Sequence, residues 1–587
     1  MVKISDIIAE VLVKNNIKVV FGIIGSANSH LYDSINKNTG IKLVAVHHEQ
    51  AAVMAMGAYY RATGKMEAAV LVTAGAGSSN AFTGILSNWA DSIPGIIISG
   101  QEQSYYIEQY DNMRMYGVQG YDSVTAYKNH TKMTARINKD NVYEVFSDAF
   151  RVTQEGRPGP VFVEVPFDVQ SQVIEEKQII SYSPIYTYND DVEDDVSYII
   201  ECLNKSKKIV LLGGHGVKLS GSEHLFKEFV SKNNIPTLLS WSAVDLIPTD
   251  DPNNFGRSGV QGQRSANFII QNCDLLIVFG SRLSLLQTGY QRKDFATHAH
   301  IIHIDIDETE TKKFNGKNIN KNVKDILMGL CKKSDKIDLD IQSWRDYCNH
   351  NRLKYPLVMP EHLSDPDNSY TFMDWFSKKI SEKYTIVTDM GTALLSGFYG
   401  FNIKPNQKMF TSLGLGEMGY GLAAAVGAGF GVNPVICLNC DGGMMLNIQE
   451  LQTIKTHNLP VKIVIFNNDG YLMIKHTQNM LFSGVKVCVD KKTGVELPDY
   501  KKIAHAFDYE YYTVGMVDEF LASNKQGIME VFMKSDQEFI PKVRGMRMED
   551  NTIQAGILEE MHPILSLEEI EQSMISGIHT KSKAMIR

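Results

Sequence analysis

The stretch from Cys437 to Tyr471, CLNCDGGMMLNIQELQTIKTHNLPVKIVIFNNDGY, holds two apolar runs that each stop on oxygen-bearing side chains. The first stops at Asp441, the second at Asn467 and Asn468. Two glycines follow the aspartate. Glycine lets backbone N–H groups approach a phosphate closely, and a helix beginning there offers its positive end. A carboxylate, an amide oxygen and phosphate oxygens make a suitable shell for Mg²⁺, a hard ion that usually shares its oxygen ligands with a bound phosphate. Taken alone, Asp441 reads equally as a turn residue or helix N-cap, and the asparagine pair as turn chemistry.

Both strands need a sheet to hold their ends together. Strand and helix patterns alternate in three segments. Strands are expected at KVVFGI, KLVAVHH, AAVLVTAG, GIIISG and VFVEVP in the first segment, and at KIVLLGG, IPTLLS, DLLIVFGS and HIIHIDID in the second. The third has TIVTDMG, KMFTSLG, VICLNCD, VKIVIFNN and IMEVFM. Apolar strands alternating with helices imply parallel sheets covered on both faces. The expected fold is therefore α/β, with three doubly wound parallel-sheet domains. Their expected bounds are 1–180, 190–345 and 365–560, with a polar, less periodic tail at 561–587. Turn-rich, acidic linkers are expected at 181–195 and 355–370. No tandem repeat is evident. In open parallel sheets ligands bind beyond the carboxyl ends of the strands, where Asp441 and Asn468 stand.

Composition sets outer limits. At 587 residues the chain exceeds one core. The net charge of −9 is spread rather than blocked, which argues against nucleic-acid or anionic-membrane partners. Residues 418–440 carry no charge, but their glycines and the Asn433-Pro434 turn favour a buried helix, turn and strand over a membrane span. The N-terminal MVKISDIIAEVLVKNN reads as an amphipathic helix rather than a signal peptide. Seven scattered cysteines point to reduced thiols in a cytoplasm, and the Cys437/Cys440 pair lacks a second pair at zinc spacing.

An Asp-Gly followed 27 residues later by a strand ending in Asn-Asn resembles the cofactor motif of the thiamine diphosphate (ThDP) enzymes, with Cys440 where the motif begins with Gly. The resemblance extends to the acetolactate synthase large-subunit group through VFGIIGSA, HHEQAA, TAGAGSSNAFTGILSNWADSIPGIIISGQ and RPGPVFVEVPFDVQ in the first segment. In the third it runs through TDMGTA, SLGLGEMGYGLAAAVGA, CDGGMMLNIQELQTI and VKIVIFNNDGY. It implies pyrimidine-binding, central and diphosphate-binding domains, with ThDP and Mg²⁺ as cofactors. Glu49 would activate the cofactor through its aminopyrimidine ring, whereas alone it reads as a first-turn helix residue. Asp441 and Asn468 would ligate Mg²⁺ by side chain, and Gly470 by its carbonyl. Gly391, Thr392, Gly442 and Gly443 would line the diphosphate. Met418 would wedge beneath the cofactor, and Gly416 would touch its aminopyrimidine. A homodimer or homotetramer would follow, because family sites lie between the first domain of one chain and the third of another.

The departures fall on the substrate side. Ile24 and Ser26 replace the usual Pro and Gly of the first loop, and Thr392-Ala393 replace Gln-His after Gly391. Thr477, in YLMIKHTQ with Met473, stands where a Trp is usual, and Gln119 matches a substrate-side Gln but is followed by Gly120 rather than an acid. The implied reaction is decarboxylation of a 2-keto acid, pyruvate being the expected donor, and transfer of the acyl carbanion equivalent to a second carbonyl. Pyruvate as acceptor gives acetolactate; a keto-sugar gives a branched sugar. Three other readings stand beside it: an FAD-containing pyruvate-oxidase-like enzyme, a simple decarboxylase and a silent scaffold subunit. FAD is left open by LLGGHGVKLSG and FGRSGVQGQRSAN, which supply Gly and Arg but no G-x-G-x-x-G.

Overall fold

The computed structural model describes residues 1–37, 40–109, 113–179, 181–182, 189, 191–550 and 552–587. Residues 183–188 and 190 of the linker expected at 181–195 lie outside them. The chain forms two compact units. One comprises 1–186, 383–394 and 410–532; the other comprises 187–382, 395–409 and 533–587.

The first unit contains two six-stranded sheets. One is built from β1 (Val19–Gly22), β2 (Lys42–Ala45), β3 (Ala68–Val72), β4 (Gly95–Gln101), β5 (Met133–Arg136) and β6 (Pro160–Pro166), in the order β2-β1-β3-β4-β6-β5. All its pairs are parallel. The central sheet, in the second unit, joins β7 (Ile209–Gly213), β8 (Thr237–Leu239), β9 (Leu275–Phe279), β10 (His300–Ile304) and β11 (Lys317–Ile319) as β8-β7-β9-β10-β11. The third sheet contains β12 (Thr385–Thr388), β13 (Met409–Phe410), β14 (Val435–Cys440), β15 (Val461–Asn467), β16 (Glu510–Thr513) and β17 (Gly527–Phe532). Its order, β13-β12-β14-β15-β17-β16, repeats that of the first sheet strand for strand. The chain thus carries one topology twice without a repeat in sequence.

Strands β3, β4, β6, β14 and β15 are buried almost throughout, as continuous apolar runs require when helices cover both faces. The two sheets of the first unit share a core through α1 (Glu49–Thr63) and α2 (Tyr420–Gly429), whose side chains are mostly small. Their backbones approach so closely that a Cβ on Gly427 would overlap the Ala55 carbonyl. The uncharged stretch after Met418 is therefore a buried helix, a turn and the strand β14. Among the described residues no helix is long and apolar enough to cross a membrane.

Within the second unit, the segment 533–587 is packed against 187–382. Gln271 donates to Glu559 (2.7 Å), Asn272 to the Ser573 carbonyl (2.9 Å), and Arg587 pairs with buried Glu560 (2.6 Å). Polar side chains hide its periodicity because they serve as anchors rather than as a solvated face.

Candidate active site

Strand order reverses between β12 and β14 in the third sheet, and between β1 and β3 in the first. A crevice opens at such a point because the connections on either side run to opposite faces.

Asp441 leaves β14 at the first of these points and is 1% exposed. Its Oδ1 accepts from Gly442 N (2.8 Å), and its Oδ2 accepts from Asn468 N (2.9 Å) and Gly470 N (3.0 Å). Burial lifts its carboxyl to about 6, while those backbone donors pull it down. Asn468, 3% exposed, donates through Nδ2 to Thr392 Oγ1 (2.8 Å). In that orientation its Oδ1 lies 2.6 Å from the Gly470 carbonyl oxygen and 3.3 Å from Asp441 Oδ2. Three acceptor oxygens then face one another with no donor between them. Either the amide turns over and donates to the other two, or a cation sits among them. The donor set is all oxygen, with one carboxylate, which suits Mg²⁺. Gly470 has φ +117°, and a Cβ there would overlap the Val489 carbonyl, so only glycine serves.

The surrounding loops are held by groups that the motif alone does not reveal. Asp389, at the end of β12, is fully buried and accepts from Gly419 N (3.1 Å) and Gly421 N (3.4 Å). Burial raises it to about 6. A Cβ on Gly443 would overlap that carboxylate. Gly391 has φ +93° and lies against Cys440, whose Sγ donates to the Met390 carbonyl (3.0 Å) and accepts from Ala393 N (3.2 Å). The thiol that stands in for the usual glycine therefore braces the Gly391–Thr392 turn. Gly416 has φ +77°, and Met418, 37% exposed, reaches over Gly442. Tyr500 Oη donates to the Asp441 carbonyl and Lys475 Nζ to the Asp469 carbonyl (2.7 Å). Lys475, Met473 and Thr477 all lie on α3 (Leu472–Leu481), where the Thr477 hydroxyl donates back to the Met473 carbonyl (3.2 Å).

Glu49 opens α1 just beyond β2 and is 7% exposed. Its Oε2 accepts from Asn80 Nδ2 (3.0 Å), and its other oxygen faces Gly77, where a Cβ would lie 3.4 Å away. Ser26 is exposed in the loop after β1, beside Ile24, and its carbonyl accepts from Ser29 Oγ (3.0 Å). Gly25 of that loop lies directly against Thr73 of the loop after β3. Gln119 borders a cleft of about 330 Å³ with Gly75, Ala76, Ser79, Met115 and Tyr121.

The structure thus gathers Asp441, Asn468, Gly470, Thr392, Gly391, Gly442, Gly443 and Met418 at one sheet edge. Glu49, Ser26 and Gln119 gather at the corresponding edge of the other sheet. Among the described residues no hydrogen bond joins Glu49 to the Asp441 group. Asp389, Tyr500 and Lys475 were not anticipated. Of these Asp389 alone had a signal, since TDMG repeats the strand-then-Asp-then-Gly pattern of CDGG. No group of three or more His, Cys, Asp or Glu side chains converges among the described residues, and all seven cysteines are unpaired.

Residues 2–124 match the thiamine pyrophosphate enzyme N-terminal TPP binding domain, 196–330 the central domain and 389–535 the C-terminal TPP binding domain. The acetolactate synthase isozyme 1 large subunit of Escherichia coli (strain K12) is 31% identical, covering 81% of this chain and 84% of its own length. The acetolactate synthase large subunit of Buchnera aphidicola subsp. Acyrthosiphon pisum (strain APS) is 30% identical, covering 86% and 88%. The chloroplastic acetolactate synthase of Arabidopsis thaliana is 29% identical, covering 81% and 72%. This chain therefore belongs to the thiamine pyrophosphate enzymes, within the acetolactate synthase large-subunit family.

Proposed function

We propose that the protein is a ThDP- and Mg²⁺-dependent carboligase, a transferase that decarboxylates a 2-keto acid, pyruvate first among them, and passes the two-carbon unit to a second carbonyl. The observation that carries this reading is the convergence of Asp441, Asn468 and Gly470 at the strand-order reversal of the third sheet, where the Asp441 carboxylate accepts from both the Asn468 and the Gly470 amide. With the Asn468 side-chain oxygen turned towards the Gly470 carbonyl, their oxygens would make a set that a divalent cation completes. Asp441, Asn468 and Gly470 would hold the metal, and Gly391, Thr392, Gly442 and Gly443 would offer close backbone approach to the diphosphate. Bound ThDP supplies a nucleophilic ring carbon and an electron sink, chemistry no side chain has.

The chain's own residues bind, orient and move a proton. Glu49 is largely shielded from water, and Asn80 fixes one of its oxygens, leaving a carboxyl oriented to hold a proton on the cofactor's pyrimidine ring. Met418 and Gly416 would shape the cofactor's seat. With Glu49 on one sheet and the metal cluster on the other, a homodimer or homotetramer would complete each site from two chains. Ser26, Gln119, Met473 and Thr477 would border the substrates. Unpaired cysteines fit a reducing cytoplasm.

The acceptor, pyruvate or a keto-sugar, follows from product analysis. Purified protein with ThDP, Mg²⁺ and pyruvate, without and then with keto-sugars, is assayed for CO₂ and for products by mass spectrometry. Acetolactate from pyruvate alone identifies an acetolactate synthase; a sugar enlarged by two carbons identifies a sugar-branching ligase. Free aldehyde as the sole product refutes ligation, and absence of ThDP-dependent CO₂ release revives the scaffold reading. A flavin-bound, oxidase-like reading draws on one observation. Arg257 is buried, its Nη1 donates to the Tyr399 carbonyl (3.2 Å), and burial lowers it to about 10. Such a cation would suit a nucleotide phosphate. A yellow preparation with flavin absorbance would favour that reading.

A further inference from the structure

The loop bearing Gln119 is fastened by a carboxylate that no motif identifies. Glu102 follows β4, and its Oε1 accepts from both Val118 N (3.2 Å) and Gln119 N (2.9 Å). The loop closes on itself through paired hydrogen bonds between Tyr116 and Gly120 (2.8 and 3.0 Å). Gly117 has φ +52°, and a Cβ on it would meet Glu102 Oε2 at 2.7 Å; one on Gly120 would meet Glu102 Cγ at the same distance. The loop is therefore wrapped around this side chain, and its glycines are what let it fit.

Glu102 is itself braced from the core. Its N–H donates to Gln101 Oε1 (3.0 Å), while Gln101 Nε2 donates to Glu164 (2.7 Å) and to the Tyr121 carbonyl (2.9 Å). Glu164 is fully buried and ion-paired with Arg136. On the other side of the loop, Gly75 (φ +65°) lies against Gln119, a Cβ there falling 2.8 Å from Gln119 Cβ. Two residues further along the same segment, Gly77 faces Glu49. Gln119 is thus set between the Glu102 carboxylate and the segment that faces Glu49.

We propose that Glu102 is a positioning residue that sets Gln119 and the adjoining cleft, and thereby determines which acceptor carbonyl is used. This rests on the carboligase reading above. A carboxylate accepting from two successive backbone donors fixes the direction of that backbone, and charge-assisted bonds of this kind are the stronger ones. Val118, 85% exposed at the tip, cannot hold the loop by packing.

The test uses the full chain with ThDP and Mg²⁺ and the variants Glu102→Ala and Glu102→Gln, with pyruvate as donor and 2-oxobutyrate or dihydroxyacetone as competing acceptor. Glu102→Ala is expected to raise the acceptor KM tenfold or more and shift the product ratio, while ThDP affinity stays within twofold. Glu102→Gln keeps an acceptor oxygen and should restore most of the lost affinity. Amide hydrogen exchange gives a readout independent of turnover: in Glu102→Ala the Val118 and Gln119 amides should exchange at least tenfold faster, with Gly77 unchanged. Unchanged exchange at 118–119 overturns the proposal, as does faster exchange with an unaltered acceptor KM and product ratio. If the wild type releases no CO₂ from any 2-keto acid, the carboligase reading fails instead, and the exchange result still decides whether Glu102 holds the loop.

Discussion

Glu417 lies between Gly416 and Met418, and its charge should weaken the fold. One oxygen accepts from Ser412 Oγ (2.7 Å); the other is buried with no hydrogen-bond partner. Burial raises this carboxyl from 4.5 to about 7, opposed by the neighbouring Ser87 and Ser412 hydroxyls, of which Ser412 donates to it and Ser87 to Ser412 (3.0 Å), and aided by the nearby Asp91 carboxylate. Arg61 is close but already ion-paired with Asp91. Between pH 4.5 and about 7 the folded state binds more protons than the unfolded chain. Stability must therefore fall as pH rises through that window. At pH 8 the penalty is on the order of 3 kcal/mol, at about 1.4 kcal/mol per pH unit of separation. Glu417→Gln keeps the acceptor oxygen and removes the ionisation. Near pH 5 the variant and wild type should unfold at similar urea midpoints. At pH 8 the variant should be the more stable, by ~1–3 kcal/mol once relaxation around the charge is allowed for. The difference between the two proteins cancels the shared titration of Asp389, Asp441 and Glu450. Urea midpoints and thermal melts from pH 5 to 8.5 measure it. A gap that is constant with pH, or a variant less stable at pH 8, refutes the reasoning.

Four further outcomes are expected. Glu49→Gln should bind ThDP nearly as wild type but turn over ~10²–10⁴-fold more slowly, the range of general acid–base contributions; titration against steady-state rates separates the two, and equal turnover removes the role given to Glu49. Asp441→Ala should weaken Mg²⁺-dependent ThDP binding ~100-fold or more, since even outer-shell changes cost 10–100-fold; calorimetry showing normal binding would place the metal elsewhere. Ser26→Gly should change the ratio of products from paired 2-keto acids while leaving the ThDP dissociation constant alone, and an unchanged ratio would reduce Ser26 to a turn residue. Gly427→Val should destabilise the first unit by ~1–3 kcal/mol or more, because its side chain must displace the Ala55 carbonyl; an unaltered urea midpoint would mean that α1 and α2 can separate freely.

What was legible in the amino-acid order follows from what is local. Buried strands covered on both faces must be continuous apolar runs, so fourteen expected strands appear with bounds shifted by a residue or more. In the three large sheets three strands were missed: β5, β11 and β16. Each lies at the edge of its sheet, where exposure breaks the apolar run into sequences such as MTAR, KNI and EYYT. Asp441 and Asn468 could be found because each stands at the end of its own strand. The glycines near them could be found because positive φ and close approach demand glycine.

Other features depend on residues far apart in the chain, which periodicity cannot relate. The identical strand order of the first and third sheets is one; no sequence repeat announces it, because topology constrains packing and not residue identity. The meeting of Thr392 with Asn468, the brace that Cys440 forms across β12 and β14, and the Asp389 carboxylate beneath Gly443 are others. So is the Glu102 clamp on Gln119. By itself the sequence determined the α/β class and singled out the residues proposed to hold a metal and a diphosphate. Only the tertiary structure decided which oxygens converge and which loops are braced, because those distances arise when α1 and α2 lock two sheets around one core.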